Sequence, residues 1–210
     1  NVLAAARDHD VERVVFASSG AAFGVRADRQ QEDVPVGPDI TIYGSSKLLA
    51  EQIGIQYAER YGFAFLALRY NMTFGPSNVT SPGMAKVIQD ITSAMDGGPR
   101  EIPEVGGNLR RHLTYVRDSA TATVLALTHP NPSHYIYNVA GPDENYVTLH
   151  ELTNIMRKVV PDCGTVTFTG QGREAGAVDT TRIRQDLGYQ PRYGIAEGLR
   201  AQREDQKNWW

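Results

Sequence analysis

The chain is short of cysteine, of excess charge and of long apolar runs, and each shortage removes a class of protein. Cys163 is the single cysteine in 210 residues, which excludes an internal disulfide framework and a multi-cysteine zinc site. The longest apolar run, Phe63 to Leu68, is strand-sized and far below the roughly 18 residues that suggest a membrane span. The opening residues include Arg7, Asp8, His9 and Asp10 and do not read as a signal peptide, so a cytoplasmic protein is the default expectation. The 21 basic side chains meet 24 acidic ones, a net charge of −3, and that balance leaves no electrostatic footprint for nucleic acid. The five histidines lack the spacing of metal ligands, so no metal site is expected. There are no internal repeats or low-complexity tracts.

What remains is ordinary globular sequence, 41% hydrophobic and 21% charged. The length suits one large domain, or one domain with an added lobe, and supports a core without staples. The chain opens on Asn1 and enters helical sequence at once, which suggests a fragment or a processed product.

Apolar periodicity sets the expected elements. Val2, Leu3 and Ala6 suit a helix packed on a sheet, and Val11 to Ala17 is a β-branched run that reads as a buried parallel strand ended by Ser18-Ser19-Gly20. A polar loop covers 25 to 40. A long helix is expected from about Ile42 to Arg60, with Leu49, Ile53 and Tyr57 on one face and Gly62 as its cap. Phe63 to Tyr70 reads as a second strand and Tyr135 to Ala140 as a third. Helices are expected over Met84 to Met95, Asp118 to Thr128, Leu149 to Val159 behind a Thr148/Glu151 capping box, Thr180 to Leu187, and Ile195 to Trp210. The stretch between Gly97-Gly98 and Gly106-Gly107 suits a hairpin. Trp209-Trp210 either docks on a core or a partner, or stays disordered. Alternating helix and strand predicts an α/β fold with a parallel sheet.

One pattern carries chemistry. Tyr43 and Lys47 are four apart, so a helix sets them on one face. An ammonium beside a phenol favours the phenolate and suits it to move a proton near neutral pH. Ser18-Ser19 would sit at the carboxyl end of the preceding strand, the edge where open α/β sheets bind ligands. With ten tyrosines and four lysines, chance alone supplies such a pair about 0.2 times. A serine pair ending a strand also serves as a turn or a helix cap.

The order of motifs is more informative. Ser18-Ser19, Phe23-Gly24, Pro38, Tyr43-Gly44-Ser45-Ser46-Lys47, Arg69-Tyr70-Asn71 and Gly75-Pro76 follow one another. Downstream come Arg111 to Asp118, Tyr137 to Gly141, and Asp179 to Arg182 leading into Leu187-Gly188-Tyr189 and Pro191. Together they resemble the extended short-chain dehydrogenase/reductase family, in its NAD-dependent epimerase/dehydratase branch.

The resemblance implies a partial Rossmann-type parallel sheet with flanking helices, plus a small α+β substrate lobe. Residues 1–76 and 117–142 would be the remnant of the dinucleotide-binding domain, and 77–116 and 143–210 the lobe. It implies NAD or NADP as cofactor, a nucleotide-sugar as substrate, and a homodimer. Ser19 would be the catalytic hydroxyl, Tyr43 the acid/base, and Lys47 the residue holding the nicotinamide ribose. Ser18, Tyr70 and Asn71 would join Tyr43 and Lys47 at the cofactor. Gly20, Asn71, Met72, Arg111 and Arg173 would join Ser19 at the substrate.

Three departures qualify these expectations. The family's Gly-x-x-Gly-x-x-Gly turn, which brings backbone and a helix N-terminus to the pyrophosphate, is absent, so by analogy on the order of 80 to 100 residues of that half are missing. Gly20-Ala21 stand where sugar 4,6-dehydratases carry Asp-Glu. Met72 occupies the usual asparagine position and His112 that of an aspartate; His112 itself is expected to be a neutral surface side chain or to reach the substrate cleft. Two other readings stay open: a truncated, non-catalytic scaffold that dimerises across an open strand edge, and a cofactor-free, esterase-like serine hydrolase using the same Ser-Tyr-Lys trio.

Overall fold

A computed structural model describes residues 1–24, 26–37, 39–76 and 83–208; Pro38, Pro82 and the Trp209-Trp210 end lie outside the described residues. The chain divides into two compact units. The first holds Asn1–Asn71, Ser119–Val139 and Val178–Gln190, and the second Met72–Asp118, Ala140–Ala177 and Pro191–Trp210.

The first unit is built on a parallel sheet. Strands β1 (Arg13–Ser19), β2 (Ala64–Tyr70) and β7 (Ile136–Val139) lie in the order β1-β2-β7. The register pairs Ser18 with Arg69 and Ser19 with Tyr70, and on the other side Tyr70 with Val139. Parallel strands need crossover connections that cover the sheet; here α2 (Ile42–Tyr61) crosses from β1 to β2, while α1 (Val2–Asp8) precedes β1. On one side Phe65 and Ala67 pack with Phe63 and Ala58. On the other, Leu66, Leu68 and Tyr137 pack with Ala122 and Ala126 of α4 (Val116–Thr128) and with Ile183, Leu187 and Tyr189. That last contact places α6 (Thr181–Leu187) and its flanks in the first unit, whereas the sequence expectation set all of 143–210 apart. The helical pattern of α6 is visible in the sequence, but nothing in it shows which apolar surface the helix will cover. Arg13 closes the end of α4: its guanidinium donates to the carbonyls of Ala126 (3.1 Å), Leu127 (2.8 Å) and His129 (2.7 Å), groups that a helix C-terminus leaves unpaired.

Helix α2 fixes the rest of the unit. Thr41 caps it by accepting the Gly44 N–H at 3.1 Å, and Gly62 ends it in the left-handed region at φ 81°. Its buried residues are Gly44, Glu51, Gly54 and Ala58. The stripe of Leu49 and Ile53 points the other way, with 61% and 43% of those residues exposed. Apart from Glu51, the helix thus buries its small residues most deeply, while its larger Ile55 and Tyr57 pack half-buried beside Ala58 on the same cluster. A Cβ on Gly54 would lie 2.0 Å from the Phe65 ring.

The second unit carries three two-stranded ladders. β3 (Thr73–Phe74) pairs in parallel with β6 (Thr114–Tyr115), β4 (Arg100–Ile102) in parallel with β9 (Val166–Phe168), and β5 (Arg110–His112) antiparallel with β8 (Tyr146–Thr148). The hairpin suggested for 97–107 does not form, because β4 takes a partner more than sixty residues away. Pro103 directly follows β4 and has no N–H for a returning ladder. Helices α3 (Met84–Ser93), α5 (Leu149–Val159) and α7 (Ile195–Asn208) bury Val87, Ile88, Ile91, Leu149, Leu152, Met156 and Leu199 around Leu113 and Tyr115. The Thr148/Glu151 capping box is present, with Thr148 Oγ1 accepting the Glu151 N–H at 3.0 Å. No helix among the described residues is long and apolar enough to cross a membrane.

The packing of α2 makes an outcome that helix propensity alone would get backwards. Replacing an interior glycine by alanine gains up to about 1 kcal/mol in a free helix. Forcing a methyl into a filled contact costs about 1–3 kcal/mol. Gly54→Ala should therefore lower the urea-unfolding free energy by about 1–2 kcal/mol, while Gln52→Ala, at an exposed position of the same helix, changes it by less than about 0.5 kcal/mol.

Candidate functional site

The carboxyl edge of the parallel sheet gathers most of the residues singled out above. β1 ends at Ser18-Ser19 and runs into a single 3₁₀ turn, Gly20–Phe23. Ser19 caps that turn, its Oγ accepting the Ala21 N–H at 3.2 Å. Helix α2 starts directly on this turn: a Cβ on Gly44 would stand 2.2 Å from the Ala21 carbonyl oxygen. Only glycine permits that approach, and it brings the neighbouring Tyr43 to the same edge. Tyr43 is 56% exposed, and its hydroxyl has no hydrogen-bond partner among the described residues.

Lys47, one turn further along α2, lies between helix and strand. Its Nζ donates to the Ala17 carbonyl at 2.8 Å and sits 5.0 Å from the Phe16 ring centroid and 5.6 Å from that of Tyr43. The ammonium therefore faces the Tyr43 ring, but its anchor is β1 backbone. Beside it, Asn71 follows β2, with its N–H donating to the Val139 carbonyl (3.1 Å) and its Nδ2 to the Arg69 carbonyl (3.1 Å). Gly20 packs against the Asn71 amide so closely that a Cβ there would meet Oδ1 at 2.0 Å. Tyr70 turns to the other face of the sheet, where its hydroxyl bonds Thr123 Oγ1 at 2.7 Å and burial raises its pKa. Ser18 is 4% exposed and its hydroxyl donates to Glu51, so its side chain belongs to the packing under α2.

The remaining candidates lie in the second unit. Met72 has φ 34°, a left-handed conformation uncommon for a residue with a side chain, and its carbonyl accepts the Thr114 N–H at 3.1 Å. Arg111 on β5 is 6% exposed and its guanidinium donates to the carbonyls of Arg110 (2.6 Å) and Arg173 (3.2 Å). Burial lowers its pKa against the opposing pull of Glu174 and Tyr146. Arg173 thus enters this cluster through its backbone. His112 is not a surface side chain: it is 3% exposed, with Nε2 between the carbonyls of Gly141 (3.1 Å) and Pro142 (3.0 Å). Its place on a paired strand, facing the Tyr146 ring at 6.1 Å, takes it into the interior.

Three charged residues support the edge without being among the site residues expected from the sequence, although Arg69 stands in one of its motifs. Glu51 is wholly buried on α2 and Arg69 nearly so on β2, and they form a two-point ion pair. Arg69 also donates to the Glu32 carbonyl at 3.1 Å. Glu32 accepts the Asn138 N–H at 2.9 Å, and its burial raises its pKa above the usual carboxylate range. A signal existed: an arginine inside the apolar run Ala64–Tyr70 demands a buried partner, and Glu51 is the charge on the otherwise small face of α2.

These residues suit one end of a dinucleotide. A free phenol, an ammonium and a hydroxyl share one sheet edge, the set that can hold a nicotinamide ribose and move a proton beside it. The pyrophosphate end has no match here, because the sequence holds no Gly-x-x-Gly spacing at any position.

With this geometry established, comparison with known proteins identifies the class. The sequence matches the NAD dependent epimerase/dehydratase family over residues 1–140, and the chain belongs to that family. It is 28% identical to a putative UDP-glucose 4-epimerase of Methanocaldococcus jannaschii over 204 residues, covering 95% of this chain and 65% of that protein. Two crystal structures share the fold along the whole chain. UDP-glucuronic acid 4-epimerase from Bacillus cereus, in complex with UDP-glucuronic acid and NAD, superposes with a TM-score of 0.82 at 20% identity, and this chain covers 66% of it. L-threonine dehydrogenase from Phytophthora infestans superposes with a TM-score of 0.86 at 20% identity, with 69% covered. The fold is therefore the α/β, Rossmann-type fold of the extended short-chain dehydrogenases, and the chain spans about two thirds of the length of these relatives.

The loop between Ser19 and Tyr43 is pinned by a carboxylate that titrates. The Asp179 N–H donates to the Gln30 carbonyl (2.9 Å), and its side chain takes hydrogen bonds from Arg29 (2.9 Å), Gln31 (3.3 Å) and the Thr181 N–H (2.8 Å). Burial alone would raise the Asp179 pKa, but these bonds outweigh it and hold it at about 2. A depressed folded-state pKa gives stability that is present above the unfolded value near 4 and lost as pH falls through 2. Urea midpoints measured from pH 5 to pH 2 should fall more steeply for the wild type than for Asp179→Asn.

Proposed function

We propose that the chain carries the reacting edge of an NAD(P)-dependent epimerase or dehydrogenase that oxidises a nucleotide-sugar hydroxyl by hydride transfer, with Ser19, Tyr43 and Lys47 as its working residues. The observation that carries this reading is the exposed, unpartnered Tyr43 hydroxyl on a ring that faces the Lys47 ammonium at 5.6 Å, directly above the Ser19 turn. NAD or NADP, when bound, supplies the acceptor and donor of the hydride.

The protein groups divide the proton work. Tyr43 Oη takes the proton of the substrate hydroxyl as the carbon is oxidised and returns it on reduction. Ser19 Oγ already accepts the Ala21 N–H, so its own O–H is left to donate to the reacting oxygen. Lys47 spends one N–H on Ala17 and keeps two for the hydroxyls of the nicotinamide ribose. Asn71 flanks that end and Ser18 supports it from beneath, whereas Tyr70, bonded to Thr123 on the other face of the sheet, takes no part there. Within the second unit, Arg111 uses two of its five donors on carbonyls and keeps the others for the phosphates of a nucleotide, beside the backbone of Arg173.

Gly20 also argues against dehydration. That chemistry would call for carboxyl side chains after the serine, and any side chain at position 20 would strike Asn71. The hydrolase reading gains nothing, since Ser19 Oγ meets no side-chain base among the described residues. The cytoplasm is the compartment this reading favours, with one half-buried thiol at Cys163. A homodimer is its assembly. The outer edge of β1 has no strand beside it among the described residues, and Ile42, Leu49 and Ile53 expose 92%, 61% and 43% of their surface. Light scattering should show a dimer for the wild type and a monomer for Leu49→Glu/Ile53→Glu; a wild-type monomer rejects it.

Turnover tests the main reading. With saturating NAD and UDP-glucose or UDP-glucuronic acid, the wild type should interconvert C4 epimers or reduce NAD. Tyr43→Phe should lose about 10²–10⁴ of that rate, the range typical of a general acid/base. No turnover with either UDP-sugar, or turnover with L-threonine instead, removes the nucleotide-sugar assignment; full activity in Tyr43→Phe removes the site.

A further inference from the structure

Lys47 and Glu51 lie one helical turn apart on the side of α2 that faces the sheet, and they reach consecutive residues of β1. Lys47 Nζ donates to the Ala17 carbonyl at 2.8 Å, while Glu51 Oε1 accepts the Ser18 hydroxyl. Both ties fall just before Ser19. Glu51 is fully buried, and its two oxygens also take Arg69 Nε (2.9 Å) and Nη2 (2.7 Å) from β2. Arg69 lies over the Phe23 ring at 4.6 Å, on the turn that follows Ser19, and donates to the Glu32 carbonyl in the loop leading to Tyr43. One carboxylate thus joins the helix carrying Tyr43, the strand ending in Ser19 and the strand that ends just before Asn71.

We infer that Glu51, with Arg69 and Ser18, positions the reacting residues: it fixes how far α2 slides along β1 and so sets Tyr43 and Lys47 against Ser19. The most deeply buried apolar positions of α2 are small, Gly44, Gly54 and Ala58, and its larger Ile55 and Tyr57 pack only half-buried near the far end of the helix. Small residues permit close approach but offer few knobs to define an axial register, so a directional polar contact supplies it. Burying this pair is a poor means of adding stability. Ion pairs in protein interiors are often replaced by packed apolar residues at no loss, although removing one partner alone is severe. Stability and placement therefore make opposite predictions for a matched replacement.

The inference rests on the reading of Tyr43 and Lys47 given above, but its test reads the placement of α2 and needs no turnover. The lysines of this chain are few, and Lys47, Lys86 and Lys158 serve as mutual references. Reductive methylation with ¹³C-formaldehyde, followed site by site by NMR, reports how firmly the Lys47 ammonium is held on Ala17. In Glu51→Leu/Arg69→Met, Lys47 should methylate at least threefold faster relative to Lys86 and Lys158, while the melting temperature stays within a few degrees of wild type. An unchanged Lys47 rate in that folded variant overturns the inference and leaves the pair a packing element. Should the double variant not fold, Ser18→Ala keeps the ion pair and removes only the tie to β1. A rise of at least twofold at Lys47 then supports the inference, and no rise overturns it. If UDP-sugar turnover is absent but Lys47 responds, the catalytic reading fails and the positioning role stands.

Discussion

The near contact between α2 and the parallel sheet is the constraint on which the candidate site depends. With glycine at positions 44 and 54 the helix backbone reaches the Ala21 carbonyl and the Phe65 ring, distances that no side chain would allow. Only at that separation can Lys47 reach a β1 carbonyl and Glu51 reach a β1 hydroxyl while Arg69 closes the pair from β2. On this face the helix buries small residues most deeply, with Ile55 and Tyr57 half-buried against the Phe63–Phe65 cluster. Caps at both ends and polar contacts that would be costly to leave unmade add to that packing.

Much of the first unit was legible because its elements are long and their patterns strong. The β-branched run Val11–Ala17 and the apolar run Phe63–Tyr70 do form strands, shifted by one or two residues at their ends to Arg13–Ser19 and Ala64–Tyr70. The Tyr-x-x-x-Lys spacing on a capped helix and the order of motifs led to the family, and the family match over residues 1–140 agrees. The short ladders of the second unit were not legible. Strands of two or three residues, such as β3, β6 and β9, carry no period, and their partners lie far away in sequence.

Two misreadings share a physical cause. Leu49, Ile53 and Tyr57 make a stripe that looks like a core face, but only Tyr57 packs, half-buried, on the Phe63–Phe65 cluster, while Leu49 and Ile53 face outward from a helix that buries Gly44 and Gly54. His112 looks like a surface residue because histidine often is one, but its strand pairing carries it inside, where two backbone carbonyls accept it. In both cases residue character was read correctly and direction was not. Direction is set by what lies across the contact, here Phe65, Ala21 and Tyr146, and a single sequence does not show it.

The shared carboxylate of Glu51 has a consequence for how such a chain drifts over generations. Leucine 49 and isoleucine 53 answer to whatever covers them and are free to change with it. Positions 51 and 69 are bound to each other, because losing either charge strands its mate in the interior. Lineages that abandon this pair must pass through a crippled intermediate or exchange both residues together, so paired substitution at these two sites, on an otherwise glycine-lined helix, would be the historical signature of the arrangement.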